Sequence, residues 1–272
     1  MDAGTKIRVG AVSYLNTKPL VYRFEELAPQ AQLVFDVPSR LADDLAAGHL
    51  DVALIPSIEY FRDPSYEIVS DACIACRGPV LSVKMFSRVP ISQIRTLALD
   101  EGSRTSAVLV QILLSRRFGV RPRIEPLAVN LGLADTQADA VLLIGDRAIN
   151  SPGGRFAAVW DVGDEWCRWT GLPFVFAMWV VRSGQKVGVI EQALSAARDA
   201  GLANLEQIAE AEAPVLGLTR PECLSYLRDC LHFVLGPREH EGLALYQKYA
   251  DELHAETSAG QQQGEHVSAS AP

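Results

Sequence analysis

Short, uninterrupted apolar runs alternate along this chain with helix-forming stretches, and that alternation constrains its fold more than any other feature. The first run, residues 7–12, breaks directly into Ser13-Tyr14-Leu15-Asn16-Thr17-Lys18-Pro19. Clustered Ser, Asn and Thr, followed by a Pro suited to a first helical turn, mark a strand end feeding a helix N-terminus. Such an end presents N–H groups to an anion. The arrangement recurs at residues 96–99, a short strand followed by Asp100-Glu101-Gly102-Ser103-Arg104-Thr105-Ser106 and a helical stretch to Arg117 that Gly119 ends. Two turns of this kind suit a small molecule with two acidic groups.

The pattern continues. Ser39 is placed to cap a helix over 40–47 that Gly48 stops, and 52–55 reads as a buried strand. Residues 74–75, 80–86 and 138–144 are strand-like, as is the apolar run 173–181, so the chain is expected to form a parallel-rich α/β sheet. Beyond it, 185–213, 220–233 and 237–255 read as helices packed on an existing sheet. The long runs 80–86 and 174–181 bracket a middle segment with its own strand-helix-strand pattern. The chain is therefore expected to leave one lobe near residue 86 and return near 178, with a ligand cleft between lobes. Lobe one then comprises 1–86 plus 179–255 and lobe two 87–178, while 256–272, rich in Ala, Ser, Gln and Gly, is expected to be a disordered tail.

A formal net charge of −8 argues against nucleic acid or an anionic membrane as a partner, so an anionic ligand must be held by local donors. The polar N-terminus lacks a signal-peptide pattern and no run reaches the length of a membrane span, which reads as cytoplasmic. Five cysteines point to reduced thiols. Cys73 and Cys76 make one C-x-x-C, but Cys167, Cys223 and Cys230 do not complete a zinc set, and the flanking Ile74 and Ala75 suggest a buried strand. With no dinucleotide fingerprint, phosphate loop or metal-ligand spacing, a cofactor-free protein is expected, as a monomer or weak homodimer.

Several motifs in one order carry a resemblance: Val12-Ser13-Tyr14-Leu15-Asn16-Thr17, Gly48-His49-Leu50-Asp51-Val52-Ala53-Leu54-Ile55-Pro56-Ser57, Ser103-Arg104-Thr105-Ser106, Leu143-Ile144-Gly145-Asp146 and Thr170-Gly171-Leu172-Pro173-Phe174-Val175-Phe176. Together, from about residue 7 to about 255, the chain resembles the menaquinone-biosynthetic chorismate dehydratases of the futalosine pathway. The resemblance implies a two-lobed α/β fold of the type II periplasmic-binding-protein kind. It also implies a hydro-lyase that removes water from chorismate to give 3-[(1-carboxyvinyl)oxy]benzoate.

On that reading Ser13, Tyr14 and Asn16, with Pro56 and Ser57 at a strand end, bind one end of the ligand, and Ser103, Thr105 and Ser106 bind the other at a helix start. Ser13 and Ser103 are equally N-cap residues. Arg104 pairs with a ligand carboxylate, points to solvent or pairs with an acid such as Asp100, and Gly145 and Asp146 stand at a strand end where α/β proteins place ligands. Asp146 accepts a ligand proton, caps the next helix or bonds the Ser-Arg-Thr-Ser turn. Ser82, in the first crossing strand, points into the cleft or is a satisfied strand serine. Asn16 and Ser82 are the catalytic candidates. All four tryptophans fall between 160 and 179 and, with Phe174, Phe176 and Tyr14, serve the core or an apolar wall for the ligand ring.

None of the five histidines lies between residues 50 and 231, so the usual general base is missing from the second lobe. That absence separates the chain from the 1,4-dihydroxy-6-naphthoate synthases, a family of similar fold associated with a histidine base. The resemblance instead suggests that the substrate's own enolpyruvyl carboxylate takes the proton. A naphthoate-synthase-like enzyme and a cytosolic small-molecule binding protein are the alternatives.

Overall fold

The computed structural model describes residues 6–150, 154–185 and 187–268. β1 (Ile7–Val12) runs into a 3-10 helix (Leu15–Val21) and the single turn α1 (Phe24–Leu27), then β2 (Ala31–Asp36), α2 (Pro38–Ala46), β3 (Val52–Pro56), α3 (Ser57–Arg62) and β4 (Tyr66–Cys76). The middle of the chain holds β5 (Val83–Ser87), β6 (Thr96–Asp100), α4 (Arg104–Phe118), β7 (Arg123–Leu127), β8 (Ala140–Ile144), α5 (Asp146–Ile149), β9 (Ala158–Asp161) and α6 (Val162–Thr170). It returns through β10 (Phe174–Arg182), α7 (Ile190–Ala203), α8 (Leu205–Leu216), α9 (Arg220–Ser225), a π-helical turn (Tyr226–Cys230), β11 (His232–Val234) and α10 (Pro237–Ser268).

Two sheets give the two-lobed architecture. A six-stranded sheet runs β11-β4-β10-β3-β1-β2 and a five-stranded one β7-β6-β8-β5-β9. β1 is parallel to β2 and β3, and β6 to β7 and β8, whereas β10, β11 and β5 pair antiparallel to their neighbours. The sheets are therefore mixed, with the antiparallel strands placed where the chain crosses or returns. β3, β8 and nearly all of β10 are buried on both faces, which explains their unbroken apolar sequences. Each fully buried side chain of Leu or Phe size contributes ~1.5–3 kcal/mol.

Because β5 lies in the five-stranded sheet and β10 in the six-stranded one, the chain changes lobes between β4 and β5 and again between β9 and β10, ahead of residues 86 and 178. An apolar run reports burial but not the sheet that buries it. Ser39 is not a cap: α2 begins at Pro38 in the first turn behind Val37. The expected helix over 185–213 divides at Asn204 into α7 and α8, and that over 220–233 ends in the π turn and β11. Helix α10 continues over 256–268, where the sequence suggests a disordered tail. Ala, Glu and Gln are good helix formers, and once α10 is nucleated on packed residues, adding turns needs no apolar face. Residues 269–272 of that expected tail lie outside the described residues.

Candidate functional site

The strand ends of both sheets converge on one pocket, of the kind in which small molecules are held between two lobes. Its lining combines Tyr14, Asn16, Ser82, Ser103, Thr105, Ser106 and Gly145 with the apolar Val12, Pro38, Pro56, Ile74, Val80, Val83, Ile144, Phe176 and Ala177. None of these described lining residues carries a formal charge, and none is a histidine.

The start of α4 forms the polar end. Ser103 caps the helix, its Oγ accepting the Ser106 N–H at 3.2 Å, while its own N–H donates to the Asp100 carbonyl at 3.1 Å. The N–H groups of Arg104 and Thr105 stand in the first turn, where no carbonyl four residues back can accept them, and the helix dipole favours negative charge there. Thr105 is also tied to the other lobe. Its Oγ1 accepts the Ile58 N–H at 3.2 Å and lies 3.4 Å from the Ser57 Oγ, and its carbonyl accepts the Tyr246 hydroxyl at 3.0 Å.

The turn after β1 is built differently. Val12 and Tyr14 line the pocket, so strand alternation turns Ser13 away: it is exposed, its N–H donating to the Asp36 carbonyl at 3.1 Å. The Leu15 N–H donates to Asp146 Oδ1 at 3.1 Å and the Thr17 N–H to the Tyr14 carbonyl at 3.1 Å, so these amides already have protein partners. Asn16 offers its side chain instead, with Oδ1 accepting from Thr17 Oγ1 at 3.3 Å. Gly201 of α7 lets this segment pack closely, since a Cβ there would lie 2.1 Å from the Pro19 carbonyl oxygen.

Tyr14 spans the cleft. A Cβ on Gly145 would fall 2.8 Å from the Tyr14 ring, and Gly145 has φ +67°, so both space and backbone require glycine. The Tyr14 hydroxyl is buried without a hydrogen-bond partner among the described residues. Burial, and then the charge of Asp100, push this phenol well above its ordinary range.

Ser82 sits not in a crossing strand but in the loop before β5. Asp161 shapes that loop by accepting N–H groups from Val80 at 3.0 Å and Leu81 at 2.7 Å. Leu81 has φ +58°, a conformation unfavourable for a side chain with a Cβ and held here by its surroundings. The buried Ser82 Oγ donates to the Val80 carbonyl at 3.3 Å, and its carbonyl accepts the Gly145 N–H at 2.8 Å.

Four residues expected at the ligand are used elsewhere. Ser13 faces outward, as described. Ser57 Oγ donates to the Val175 carbonyl at 2.8 Å, inside the protein. Arg104 pairs across the cleft with Asp43 at 2.8 Å and Glu59 at 3.4 Å, while Asp100 is paired with Arg147. Asp146 neither lines the pocket nor bonds the Ser-Arg-Thr-Ser turn, because it accepts the Leu15 N–H. Burial raises the carboxyls of Asp100, Asp146 and Asp161 above the ordinary range.

The tryptophans serve the core. Trp160, Trp166 and Trp179 are buried, Trp169 stacks on Tyr249, and it is Phe176 that walls the pocket. Cys73 and Cys76 are buried in β4. Burial pushes up the Cys73 thiol, and a hydrogen bond with the Cys167 thiol followed by burial raises that of Cys76, which suits inert thiols. Reasoning from sequence missed Pro38, Ile74 and Val80 at the wall, whereas Phe176, one of the aromatic residues it offered for an apolar wall, lines the pocket. It missed Asp161 too, whose only signal is its place just after the strand-like Val159-Trp160.

Residues 7–252 match the family model described as menaquinone biosynthesis. The chain is 33% identical over 228 residues to the chorismate dehydratase of Thermus thermophilus, covering 77% of this chain and 83% of that protein. In structure it is similar to a protein from Archaeoglobus fulgidus, with TM-score 0.75 and 17% identity over 93% of this chain and 99% of the other. It is also similar to the periplasmic aliphatic sulphonate binding protein SsuA from Escherichia coli, with TM-score 0.59 and 17% identity over 93% and 88% of the two chains. At such identities the structural likeness shows the fold, that of a periplasmic binding protein.

Proposed function

The chain belongs to the menaquinone-biosynthesis family, and from that premise we propose that it is a chorismate dehydratase, a hydro-lyase converting chorismate to 3-[(1-carboxyvinyl)oxy]benzoate. The observation that carries this reading is a pocket lined by neutral donors, with one oriented helix start and, among the described lining residues, no side chain of ordinary general-base character. A dianion with its own carboxylate base suits such a pocket.

In the proposed reaction the enolpyruvyl carboxylate takes the proton from ring carbon 3. The electron pair of that C–H bond spreads through the ring toward the ring carboxylate. The C4–O bond then breaks, the departing hydroxyl takes the proton held by the enolpyruvyl carboxylate and leaves as water, and the ring becomes aromatic. Placing the ring carboxylate at the start of α4 puts Ser103, Thr105, Ser106 and the first-turn N–H groups where charge accumulates. One well-aimed donor of this kind supplies ~2.7–4 kcal/mol of transition-state stabilisation. Asn16 and Ser82 face the other part of the ligand, where the hydroxyl departs, and Phe176 and Tyr14 hold the ring plane. Holding the carboxylate against carbon 3 lets orientation replace a protein base.

Among the described residues no helix is long and apolar enough to cross a membrane, and a chorismate-consuming enzyme belongs in the cytoplasm, where we place it. The test is to mix purified protein with chorismate and follow products by liquid chromatography and mass spectrometry. Enzyme-dependent loss of one water with formation of a 3-substituted benzoate supports the reading. Chorismate that binds by calorimetry but stays unchanged turns it to a binding protein, and absence of both turnover and binding overturns it.

A further inference from the structure

Behind the pocket wall lies a phenol that the proposed mechanism does not use, against the two polar side chains that it does. Tyr226 opens the π-helical turn between α9 and β11, a backbone form that recurs at functional sites. Its ring is 1% exposed. Its hydroxyl faces Ser82 and Asn16 and completes no aligned hydrogen bond with a protein atom among the described residues. Packing does not account for the oxygen: a buried hydroxyl left without a partner is unfavourable, and phenylalanine fills nearly the same volume without it.

The two neighbours are weakly held by their own partners. Ser82 Oγ reaches the Val80 carbonyl at 3.3 Å, and Asn16 Oδ1 accepts from Thr17 at 3.3 Å, both long for hydroxyl donors. They approach from different segments, Asn16 from the 3-10 helix and Ser82 from the loop that Asp161 braces. A hydroxyl placed beside both can donate to one and accept from the other. Burial pushes the Tyr226 phenol far above its ordinary range, so it keeps its proton and remains a donor.

We propose that Tyr226 is a positioning residue for the dehydration, its hydroxyl setting the directions in which Ser82 and Asn16 meet the leaving hydroxyl. This rests on the chorismate dehydratase reading. The test compares wild-type protein with Y226F, S82A and the double variant Y226F/S82A, measuring kcat and KM with chorismate and the thermal midpoint of each. Y226F is expected to fold with a midpoint at or above that of the wild type, with kcat about tenfold lower and KM nearly unchanged. The double variant is expected to lose little more than S82A, because Tyr226 acts through Ser82. A folded Y226F with wild-type kcat and KM overturns the proposal. So does a Y226F that loses its fold, or losses that simply multiply in the double variant, since the hydroxyl is then structural or independent. If wild-type protein does not turn over chorismate, the dehydratase reading itself fails and this role falls with it; normal wild-type turnover beside an unaltered Y226F removes only Tyr226.

Discussion

The two strand-to-helix turns look alike in sequence and are built on opposite plans. After β6, a 15-residue helix with Ser103 as its side-chain cap brings first-turn N–H groups to the pocket. After β1, a seven-residue 3-10 helix without a side-chain cap uses its nearby N–H groups on Asp146 and on the Tyr14 carbonyl. The first plan offers an electrostatic end for an anion, the second a single adjustable amide at Asn16. Two helix starts are therefore not two anion sites, because what matters is which donors remain after the protein has satisfied its own acceptors.

If the asymmetry divides binding from chemistry, the largest effect belongs to Asn16. Asn16→Ala is expected to lower kcat about a hundredfold with KM changed little, read by steady-state chorismate turnover; near-normal kcat breaks the comparison, leaving the first turn as scaffold. On the α4 side, Thr105→Val removes the acceptor of the Ile58 N–H and is expected to destabilise the fold by ~1–3 kcal/mol in urea unfolding while raising KM more than it lowers kcat. A fall in kcat alone would place chemistry at α4 as well.

A smaller effect concerns Asp146, the acid that bridges the two sides. Burial raises its carboxyl above the ordinary range, so the folded state prefers it protonated. Its contribution to stability is fully present below the unfolded value, ~3.9, and is lost as pH rises through the raised one. Asp139 does the reverse: N–H donors from Arg95 and then Thr96 hold its carboxyl low, so its contribution is lost as pH falls through the depressed value. Unfolding measured from pH 4 to 7 is expected to show Asp146→Asn gaining on the wild type as pH rises; a constant difference removes Asp146 from the pH dependence.

The smallest effect is expected from Arg104. Its pairs with Asp43 and Glu59 are partly exposed, with side chains 32%, 63% and 15% accessible, so Arg104→Ala costs at most ~1 kcal/mol and raises KM less than threefold. A much larger rise in KM would return Arg104 to the ligand. His49→Ala, on an exposed side chain beside Asp44, is expected to leave turnover intact and serves as the control.

β3 and β8 were legible because strands buried on both faces need unbroken apolar runs, and the cleft followed from the two apolar runs that bracket the middle segment. Asn16, Ser103, Thr105 and Ser106, read at strand ends, and Ser82, read in a crossing strand, all line the pocket. Ser13, Ser57, Arg104 and Asp146 misled because their partners, Asp36, Val175, Asp43 and Leu15, are distant in sequence or across the cleft, and spacing carries no record of them. β11 was invisible: three strand residues between helical turns have no period of their own. Tyr226 was hidden in a stretch read as a helix packed on the sheet, where a tyrosine is ordinary core.

The contact of the Tyr14 ring with the bare backbone of Gly145 bears on how far apart the two strand ends stand across the cleft. The gap there is fixed by one flat, rigid spacer against a surface that has no side chain to yield. Narrowing it means thinning the spacer at Tyr14, since at Gly145 every substitution adds bulk.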